Sequence, residues 1–515
     1  MSLVSKKNIN KTLMSAFILG AVVVGGCNSG SGNSSSTLAN NNSQNNVQVL
    51  NTNSVTKSNS DNGNNIVTVY LLIDNLDQLK TYVNDLALVD KANFNRVIFS
   101  FVRPTLLNYT SGDLANTGIL GFFNGDPNDQ GQYAFQQLKD AVANSRAKNI
   151  QAFISVGGWN YSCNYPVYGS ACGDESSTYD WFPDPNDPDQ AQNAKTSYNN
   201  IVQLALDLGV DGIDIDYEEF WHADKYAIQW NGNPWATAIA ESIGSSPSYK
   251  NLAQYGGGAQ ASGSGPEIMP ITIAKLDAIL NSLENNPNAK NLMFATAAPP
   301  VGARPIMSFV YSDSSLDSVN TYGGLWWGGN LKGLWYNLTY LDKPVVDRID
   351  SLGLMTYDLC DDDTTKCPPY AGASMDLASQ VDAYVGDYNN WLKNPNTSEA
   401  SLTIESNSGK VTFLPAKYNV NPKVQFGFEV NKPAFPRNAS GQIPLTESEV
   451  SNILAQQATK TNGVIIWQMY SEPNSSVESS IRATAKDTIA KSCATFLKGS
   501  PDYDCNADFP HSAPQ

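Results

Sequence analysis

Four acidic side chains are concentrated in residues 210–218, which read VDGIDIDYE. Because side chains alternate between the two faces of a strand, Asp214, Asp216 and Glu218 are predicted to share one face. Asp211 has the opposite parity and is expected to be structural. Neighbours on the acidic face lie roughly 6 to 7 Å apart, so we expect at least one carboxyl group to keep a proton near neutral pH. Such a group is a general acid. An acidic strand end that reaches solvent is the alternative interpretation.

The overall charge and the residue types argue against several classes of function. The net charge of -17 disfavours a nucleic-acid partner, whose phosphates would be repelled, and favours a neutral or cationic substrate. Only two histidines are present, His222 and His511, so a His-rich zinc site and a Ser-His-Asp triad have little support. The folded region has no glycine-rich phosphate loop, EF-hand string or HExxH pattern. We therefore predict that the protein uses no cofactor and no metal, and that carboxylates supply its acid chemistry.

Apolar, β-branched runs alternate with segments of helical spacing, such as residues 135–147 and 191–208. The runs are predicted to be eight strands: Ile66–Ile73, Arg96–Val102, Ile150–Val156, Val210–Tyr217, Leu292–Ala298, Ile349–Met355, Val424–Val430 and Val464–Met469. Eight strand–helix units predict an α/β fold, the (β/α)8 TIM barrel. A doubly wound sheet is the alternative. The barrel is favoured because residues that could do chemistry end several different strands.

The connections between the predicted strands differ in length. Long, tryptophan-rich segments follow the fourth strand and precede the sixth, and we expect them to form walls of a cleft. Residues 431–463, between the seventh and eighth strands, are too few for a large inserted domain. The sequence therefore predicts one barrel domain over residues 66–492, followed by a C-terminal tail over residues 493–515.

The N-terminal region is typical of an export signal followed by a tether. Three lysines precede an apolar run at about residues 13–24, which is short for a membrane span. The run ends in VGGC, which is similar to a bacterial lipobox, so residues 1–26 are predicted to be a signal peptide and Cys27 to carry lipid. An ordinary signal peptide is the alternative. Residues 27–65 are rich in Ser and Asn and are predicted to be disordered. We expect an exported, membrane-anchored lipoprotein, periplasmic or at the cell surface, or released from the cell.

Six cysteines besides Cys27 form three pairs of close sequence neighbours. The pairs are Cys163 with Cys172, Cys360 with Cys367, and Cys493 with Cys505. An even number of cysteines in an exported chain predicts three local disulfides, the last of them in the C-terminal tail. Metal binding by these cysteines is not expected, because no C-x-x-C spacing occurs.

The complete string DGxDxDxE, flanked by aliphatic residues, resembles the signature of family 18 glycoside hydrolases, the chitinases and their relatives. The resemblance implies that Glu218 is the proton donor, that Asp216 works with it, and that Asp214 holds or shares the proton of Asp216. The third strand ends in residues 154–159, ISVGGW, which are similar to the SxGG element of that family. This similarity implies a hydrogen bond between Ser155 and Asp214.

Three further strand ends are similar to positions in this family. Residues 355–358, MTYD, resemble its MxYD element. The similarity implies that the Tyr357 hydroxyl reaches the acetamido oxygen of the bound sugar, with Asp358 beside it and Met355 packed below. It also implies that Trp467 is the floor beneath the cleaved sugar, with core filling as the alternative. Tyr70 is matched to an inward-facing tyrosine near the aspartate pair.

The resemblance covers residues 66–469 and implies a chitinase that hydrolyses β-1,4-linked N-acetylglucosamine polymers by a retaining, substrate-assisted mechanism. Glu218 would protonate the glycosidic oxygen while the substrate's acetamido oxygen attacks the anomeric carbon. Asp216 and Tyr357 would then stabilise the oxazolinium ion. An endo-β-N-acetylglucosaminidase acting on N-glycans stays open as an alternative, because it has the same strand-four acids. A chitin-binding lectin of this fold is a second alternative, although such lectins normally lack the donor glutamate. We expect a monomer whose partners are chitin or N-acetylglucosamine oligosaccharides.

Overall fold

The structure is a computed structural model that describes part of the chain within a compact unit, residues 61–515. The described residues are 65–122, 130–161, 182–183, 185, 188–218, 261–262, 265–266, 271–298, 300, 348–357, 377–393, 402–406, 409–413, 422–430, 437–438, 441–442, 445–470 and 482–512. The predictions for the signal peptide, Cys27, the tether up to residue 64, the tryptophan-rich cleft walls, Asp358 and two of the three cysteine pairs fall outside these residues.

Eight parallel strands close into a barrel in which strands adjacent in sequence pair with each other, and the last strand pairs with the first. The barrel strands are β1 (Ile66–Leu72), β2 (Arg96–Val102), β3 (Gln151–Gly157), β4 (Gly212–Asp216), β5 (Met293–Ala298), β6 (Ser351–Leu354), β7 (Lys423–Glu429) and β8 (Gly463–Trp467). The barrel closes where Ile66 of β1 pairs with Gly463 of β8. The predicted (β/α)8 TIM barrel is therefore confirmed, and each of the eight predicted runs overlaps one barrel strand, with Gly157, Lys423 and Gly463 lying one residue outside the predicted bounds.

Helices follow the strands and cover the outside of the barrel. In the described part of the chain they are α1 (Leu76–Ala87), α2 (Gln130–Ala147), α3 (Ala191–Leu208), α4 (Ile271–Asn285), α5 (Leu377–Lys393), α6 (Glu447–Gln457) and α7 (Ala485–Phe496). Local chemistry sets several of their ends. The Asn75 side chain caps α1, Thr446 and Glu449 form a reciprocal capping box at α6, and Gly209 ends α3 in the left-handed region. None of these helices is both long and apolar enough to cross a bilayer.

The connections carry only small additional elements where they are described. An antiparallel hairpin of Leu402–Ser406 and Gly409–Phe413 lies between α5 and β7. The connection from β7 to β8 contains helix α6 and a short hairpin whose two strands, residues 437–438 and 441–442, have two residues each. In agreement with its short length, the described residues of this connection form no large inserted domain.

Side chains of the barrel strands alternate between two separate apolar regions. One region, here called the interior cluster, lies inside the barrel and consists of Tyr70, Ile98, Phe153, Ala295 and Ile465. The larger core lies between the strands and the helices, and it includes the neighbours of opposite parity on the same strands. This alternation, which follows from the two-residue period of a strand, decides which side chains can reach the barrel mouth.

The C-terminal segment is joined to the barrel by a disulfide and by buried contacts. The predicted disulfide between Cys493 and Cys505 is present, and the predicted boundary at residue 493 falls inside α7. Phe509 is fully buried and packs against Phe94. The segment therefore contributes to the core of the barrel domain.

One buried carboxylate holds the end of this segment. Asp85 of α1 accepts hydrogen bonds from the backbone N–H groups of His511 and Ser512, at 3.0 and 2.9 Å. It also accepts from the Ser512 hydroxyl at 2.6 Å and from the Tyr470 hydroxyl at 2.8 Å. Four donors from two distant parts of the chain thus converge on one side chain.

Candidate active site

The acidic residues of β4 line the mouth of the barrel. Asp214 and Asp216 are 1% and 6% exposed, and Glu218, just beyond the end of the strand, is half-buried. Ile215 and Tyr217 have the opposite parity and belong to the larger core. Because Asp214 and Asp216 are buried, the alternative of an acidic strand end in solvent does not describe them.

Asp214 is held by two hydroxyl groups that donate to the same carboxylate oxygen. The Tyr70 hydroxyl of β1 donates to Asp214 Oδ2 at 3.0 Å, and the Ser155 hydroxyl of β3 donates to it at 2.7 Å. Burial raises the pKa of Asp214 to about 6, against the opposing effect of these two hydrogen bonds and of the Arg96 charge. The hydrogen bond between Ser155 and Asp214 that the resemblance implied is thus present, and it favours the ionised form of Asp214.

Asp216 has a different environment from Asp214. Its Oδ1 atom is buried and has no hydrogen-bond partner among the described residues. Burial, followed by the negative charge of Asp214, raises the pKa of Asp216 well above its ordinary value. We therefore expect the aspartate pair to keep one proton near neutral pH, held by Asp216 rather than by Asp214.

The two glycines after Ser155 bring β3 close to the backbone of Asp216. Gly157 and Gly158 have φ angles of +107° and +84°, which glycine adopts without steric cost. A Cβ atom on Gly157 would lie 2.3 Å from the Asp216 carbonyl oxygen, and the Gly158 N–H donates to that oxygen at 2.8 Å. Trp159, the next residue, is 39% exposed. The glycine pair is thus required by the close approach of the two strand ends.

Tyr357 lies at the mouth beyond the end of β6, facing β7. Its half-buried ring packs against the interior cluster. A Cβ atom on Gly427 of β7 would be 2.8 Å from the Tyr357 ring, so the ring lies over a position without a side chain. Thr356 fixes this strand end through hydrogen bonds between its hydroxyl and both backbone groups of Gly427. Met355 is half-buried against the larger core.

Trp467 forms an aromatic surface at the mouth together with Tyr70 and Phe101. The Trp467 and Phe101 rings stack with their centroids 5.6 Å apart and their planes at 28°. The edge contact between Trp467 and Tyr70 has a centroid distance of 5.7 Å. Trp467 and Phe101 are half-buried, so Trp467 is not simply a core residue. Its predicted contact with a sugar stays a prediction.

Two residues at the mouth were missed by the sequence reasoning, Phe101 and Glu429. Phe101 stacks on Trp467, as described above. Glu429 ends β7, is 7% exposed and pairs in register with Trp467. It has the strand parity of Gln425, whose amide reaches Thr68 across the barrel interior. The parity of the predicted strand over residues 424–430 could have identified Glu429, since it places this acid on the inward face.

The structure joins Asp214 to Ser155 and Tyr70 by hydrogen bonds, with Asp216 two residues further along β4, and it places Tyr357 and Trp467 against the interior cluster. A buried carboxyl pair with raised pKa values lies beside a half-buried glutamate and an aromatic surface. This arrangement suits general acid catalysis on a neutral ring-shaped substrate. Within the described part of the chain, no group of three or more His, Cys, Asp or Glu residues is arranged to hold a metal ion.

Comparison with solved structures finds folds that are similar at low sequence identity. A GH18 chitinase from Pseudoalteromonas aurantia is 13% identical, with 78% of this chain and 93% of that chain covered and a TM-score of 0.36. A GH18 chitinase from Chromobacterium violaceum is 11% identical, with 84% and 71% covered and a TM-score of 0.41. The xylanase and α-amylase inhibitor protein XAIP-II from Scadoxus multiflorus is 12% identical, with 78% and 93% covered and a TM-score of 0.29.

Comparison with curated proteins finds no match. Comparison with protein families gives a match over residues 66–405 to the family described as "Glycosyl hydrolases family 18". The matched range contains the first six barrel strands and the acids of β4, and it ends before Glu429 and Trp467. Because the match covers more than half of the 515 residues, the chain belongs to glycosyl hydrolase family 18.

Proposed function

We propose that this family 18 protein is a chitinase that hydrolyses β-1,4-linked N-acetylglucosamine polymers with retention of configuration. One observation carries the proposal. The Asp216 carboxyl is buried, has one oxygen without a hydrogen-bond partner in the described part of the site, and lies between Asp214 and Glu218 on one inward-facing row. An unpaired buried acceptor is costly, and a bound acetamide N–H would satisfy it.

In the proposed reaction, Glu218 protonates the glycosidic oxygen as the bond to the leaving sugar breaks. The acetamido oxygen of the substrate attacks the anomeric carbon, which gives an oxazolinium ion and needs no nucleophile from the protein. Asp216 accepts the acetamide N–H through its unpaired oxygen, the single negative charge of the Asp214–Asp216 pair stabilises the positive charge of this ion, and the Tyr357 hydroxyl contacts the acetamide. Glu218 then removes a proton from the water that opens the ring.

The mouth of the barrel favours a neutral, flat sugar face. Trp467 and Phe101 supply a stacked aromatic surface, which suits the side of a pyranose ring that bears only C–H bonds. The surrounding acids and the net charge of -17 disfavour an anionic polymer. Chitin oligosaccharides meet both requirements.

The proposal is tested by incubating the protein separately with chitin hexamer and with a high-mannose glycoprotein, and by sizing the products with mass spectrometry. Shortened chitin oligomers whose new reducing ends are first formed as the β-anomer are expected, with Asp216→Asn as an inactive control. Release of glycans from the glycoprotein without cleavage of chitin would identify an endo-β-N-acetylglucosaminidase. Binding of chitin without cleavage would identify a lectin.

We also propose that Cys27 carries a lipid that anchors the protein to a bacterial membrane. The VGGC sequence at residues 24–27 and the polar segment that follows support this proposal. Cys27→Ser is expected to move the protein from the membrane fraction to the soluble fraction. A soluble wild-type protein that begins at another residue would contradict the proposal.

A further inference from the structure

The guanidinium of Arg96 lies inside the barrel, at the start of β2. The side chain is 2% exposed. Its Nη1 donates to Ser351 Oγ of β6 at 2.8 Å, and its Nε and Nη2 donate to Gln151 Oε1 of β3 at 3.1 and 2.9 Å. Since β2 and β6 are on opposite sides of the closed eight-stranded barrel, the side chain crosses the interior.

Arg96 lies two inward positions below the level of Asp214, because Arg96 pairs in register with Gln151 whereas Asp214 pairs with Ser155. Its guanidinium is 4.4 Å from the centre of the Phe153 ring. Phe153 pairs in register with Gly212, and a Cβ atom on Gly212 would come within 2.3 Å of that ring. The ring therefore fills the place of the side chain that Gly212 lacks, and it occupies the level between Asp214 and Arg96.

The charge of Arg96 is not offset by its hydrogen-bond partners, because Gln151 and Ser351 are neutral. Burial lowers the pKa of Arg96 to about 10, so the guanidinium is still charged at neutral pH. Three carboxylates interact with this charge, Asp350 with the largest effect, then Asp214 and Asp211. Asp211 pairs with Arg146 at 3.3 Å and Asp350 accepts the Phe294 N–H at 2.7 Å. Of the carboxylates that interact with Arg96, Asp214 is the one that belongs to the acid row of β4.

We propose that Arg96 is a positioning residue for the hydrolysis, whose buried charge keeps the negative charge of the aspartate pair on Asp214 and the shared proton on Asp216. The inference rests on the proposed function. Asp214 also receives two hydrogen bonds, from Tyr70 and Ser155, that favour its ionised form. The Arg96 charge and these two hydrogen bonds all favour ionised Asp214. The proton therefore stays on Asp216, which is next to Glu218 on the acid row.

Several other charged or titratable groups face this part of the interior. They are Tyr70 of β1, Asp216 and Glu218 at the end of β4, Tyr357 after β6, and, by strand parity, Lys423 and Glu429 of β7. Asp211 before β4 and Asp350 before β6 have the opposite parity but also interact with the charge of Arg96. The variants described below replace none of these residues. A charge change at this layer is therefore expected to be felt as a shift in the proton affinity of Asp214.

The test offsets the positive charge of Arg96 with a neighbouring negative charge and keeps the arginine in place. In Gln151→Glu the new side chain has the shape of glutamine and can accept both hydrogen bonds from Arg96. Its carboxylate offsets the positive charge of the guanidinium. Loss of the field of Arg96 is expected to move the acidic limb of kcat/KM on chitin hexamer to higher pH by about one unit. Arg96→Gln, which removes the charge without adding another, is expected to shift the limb in the same direction.

Two control variants keep the charge. Arg96→Lys and Ser351→Ala, which removes one hydrogen-bond partner of the guanidinium, are expected to leave the acidic limb in place even if they lower the melting temperature. A purely structural role of Arg96 would instead lower stability in all four variants and leave the limb unchanged. An unchanged limb in folded Gln151→Glu would overturn the proposal.

A second measurement separates this proposal from the proposed function. Carboxyl ¹³C NMR follows the titration of Asp214 directly, with Asp214→Asn to assign the resonance. The midpoint is expected to rise by about one pH unit in Gln151→Glu relative to wild type. Absence of hydrolysis by the wild type would refute the proposed function alone, whereas an unchanged midpoint would refute the role of Arg96.

Discussion

The Tyr70 hydroxyl of β1 donates a 3.0 Å hydrogen bond to Asp214 of β4, across the inside of the barrel. Both side chains are buried, so water does not compete for either group. A hydrogen bond to an ionised carboxylate in such a place is stronger than one between neutral groups. The contact therefore couples the first strand of the barrel to the ionisation of the acid row.

Tyr70→Phe is expected to move the acidic limb of kcat/KM on chitin hexamer to higher pH by about one unit, because one hydrogen bond to a charged group contributes roughly 1.5 kcal/mol. The limb moves to higher pH because the Tyr70 hydroxyl favours ionised Asp214 and lowers its pKa, so loss of the hydroxyl raises that pKa. Tyr82→Phe is the matched control, since it removes a buried hydroxyl that contacts Ser145 at 2.7 Å. Equal pH profiles for the two variants would contradict the coupling.

Asp214→Asn is expected to stabilise the fold at about pH 8 while abolishing activity. The folded pKa of Asp214 is about 6, above the ordinary value of 3.8. The stability that this group contributes is therefore fully present below pH 3.8 and is lost as pH rises through 6. The free energy of unfolding falls by about 3 kcal/mol at high pH for this reason. The uncharged asparagine of Asp214→Asn avoids this loss.

Urea unfolding at about pH 4.5 and pH 8 checks this expectation, because the gain in unfolding free energy should be larger at the higher pH. Asp77→Asn, on the exposed side of α1, is the control and should show little change at either pH. A gain that is independent of pH would argue that Asp214 is not strained by its burial.

Glu429→Gln is expected to raise KM for chitin oligosaccharides by about 5- to 30-fold with a smaller effect on kcat, as for one lost charge-assisted hydrogen bond. The carboxylate is nearly buried beside Trp467 at the mouth, where sugar hydroxyls are available as donors. Steady-state kinetics with chitin hexamer provide the measurement. Glu447→Gln on α6 is a control outside the mouth, and a KM for Glu429→Gln equal to that of the control would exclude contact with substrate.

Asp85→Asn is expected to lower the free energy of unfolding by about 2 to 4 kcal/mol. An amide offers one acceptor oxygen in place of two, and its NH₂ group would face donors from Tyr470, His511 and Ser512. Urea denaturation measures the effect, and faster proteolysis of the C-terminal segment should accompany it. A change no larger than that of Asp77→Asn would show that the segment is held by its apolar contacts alone.

Strand periodicity was sufficient to predict the barrel and the acid row. The β-branched runs and the alternation over residues 210–218 each reflect one local rule, that neighbours in a strand face opposite sides. The resemblance placed Ser155 and Tyr70 near Asp214, where the structure has them. The barrel and the acid row could be predicted from the periodicity of single strands. The positions of Ser155 and Tyr70 could be predicted from their resemblance to positions in the family.

Contacts between distant strands could not be predicted in the same way. Arg96 begins β2 and reaches Ser351 on the opposite side of the barrel, and Phe101 stacks on Trp467 from the far end of the chain. Which inward side chains meet depends on barrel register and on the missing Cβ atoms at Gly212 and Gly427. Packing of Phe509 under the barrel likewise has no local signal in the sequence.

The central claim is that Glu218 protonates the glycosidic oxygen of an N-acetylglucosamine polymer. The most direct measurement compares single-turnover cleavage of chitin hexamer by wild type and by Glu218→Gln, with binding measured separately by calorimetry. We expect the rate of cleavage to fall by about 100- to 10,000-fold while the dissociation constant changes little, because the amide keeps the shape of the side chain and loses only the proton. Cleavage by Glu218→Gln within a few-fold of wild type would contradict the claim.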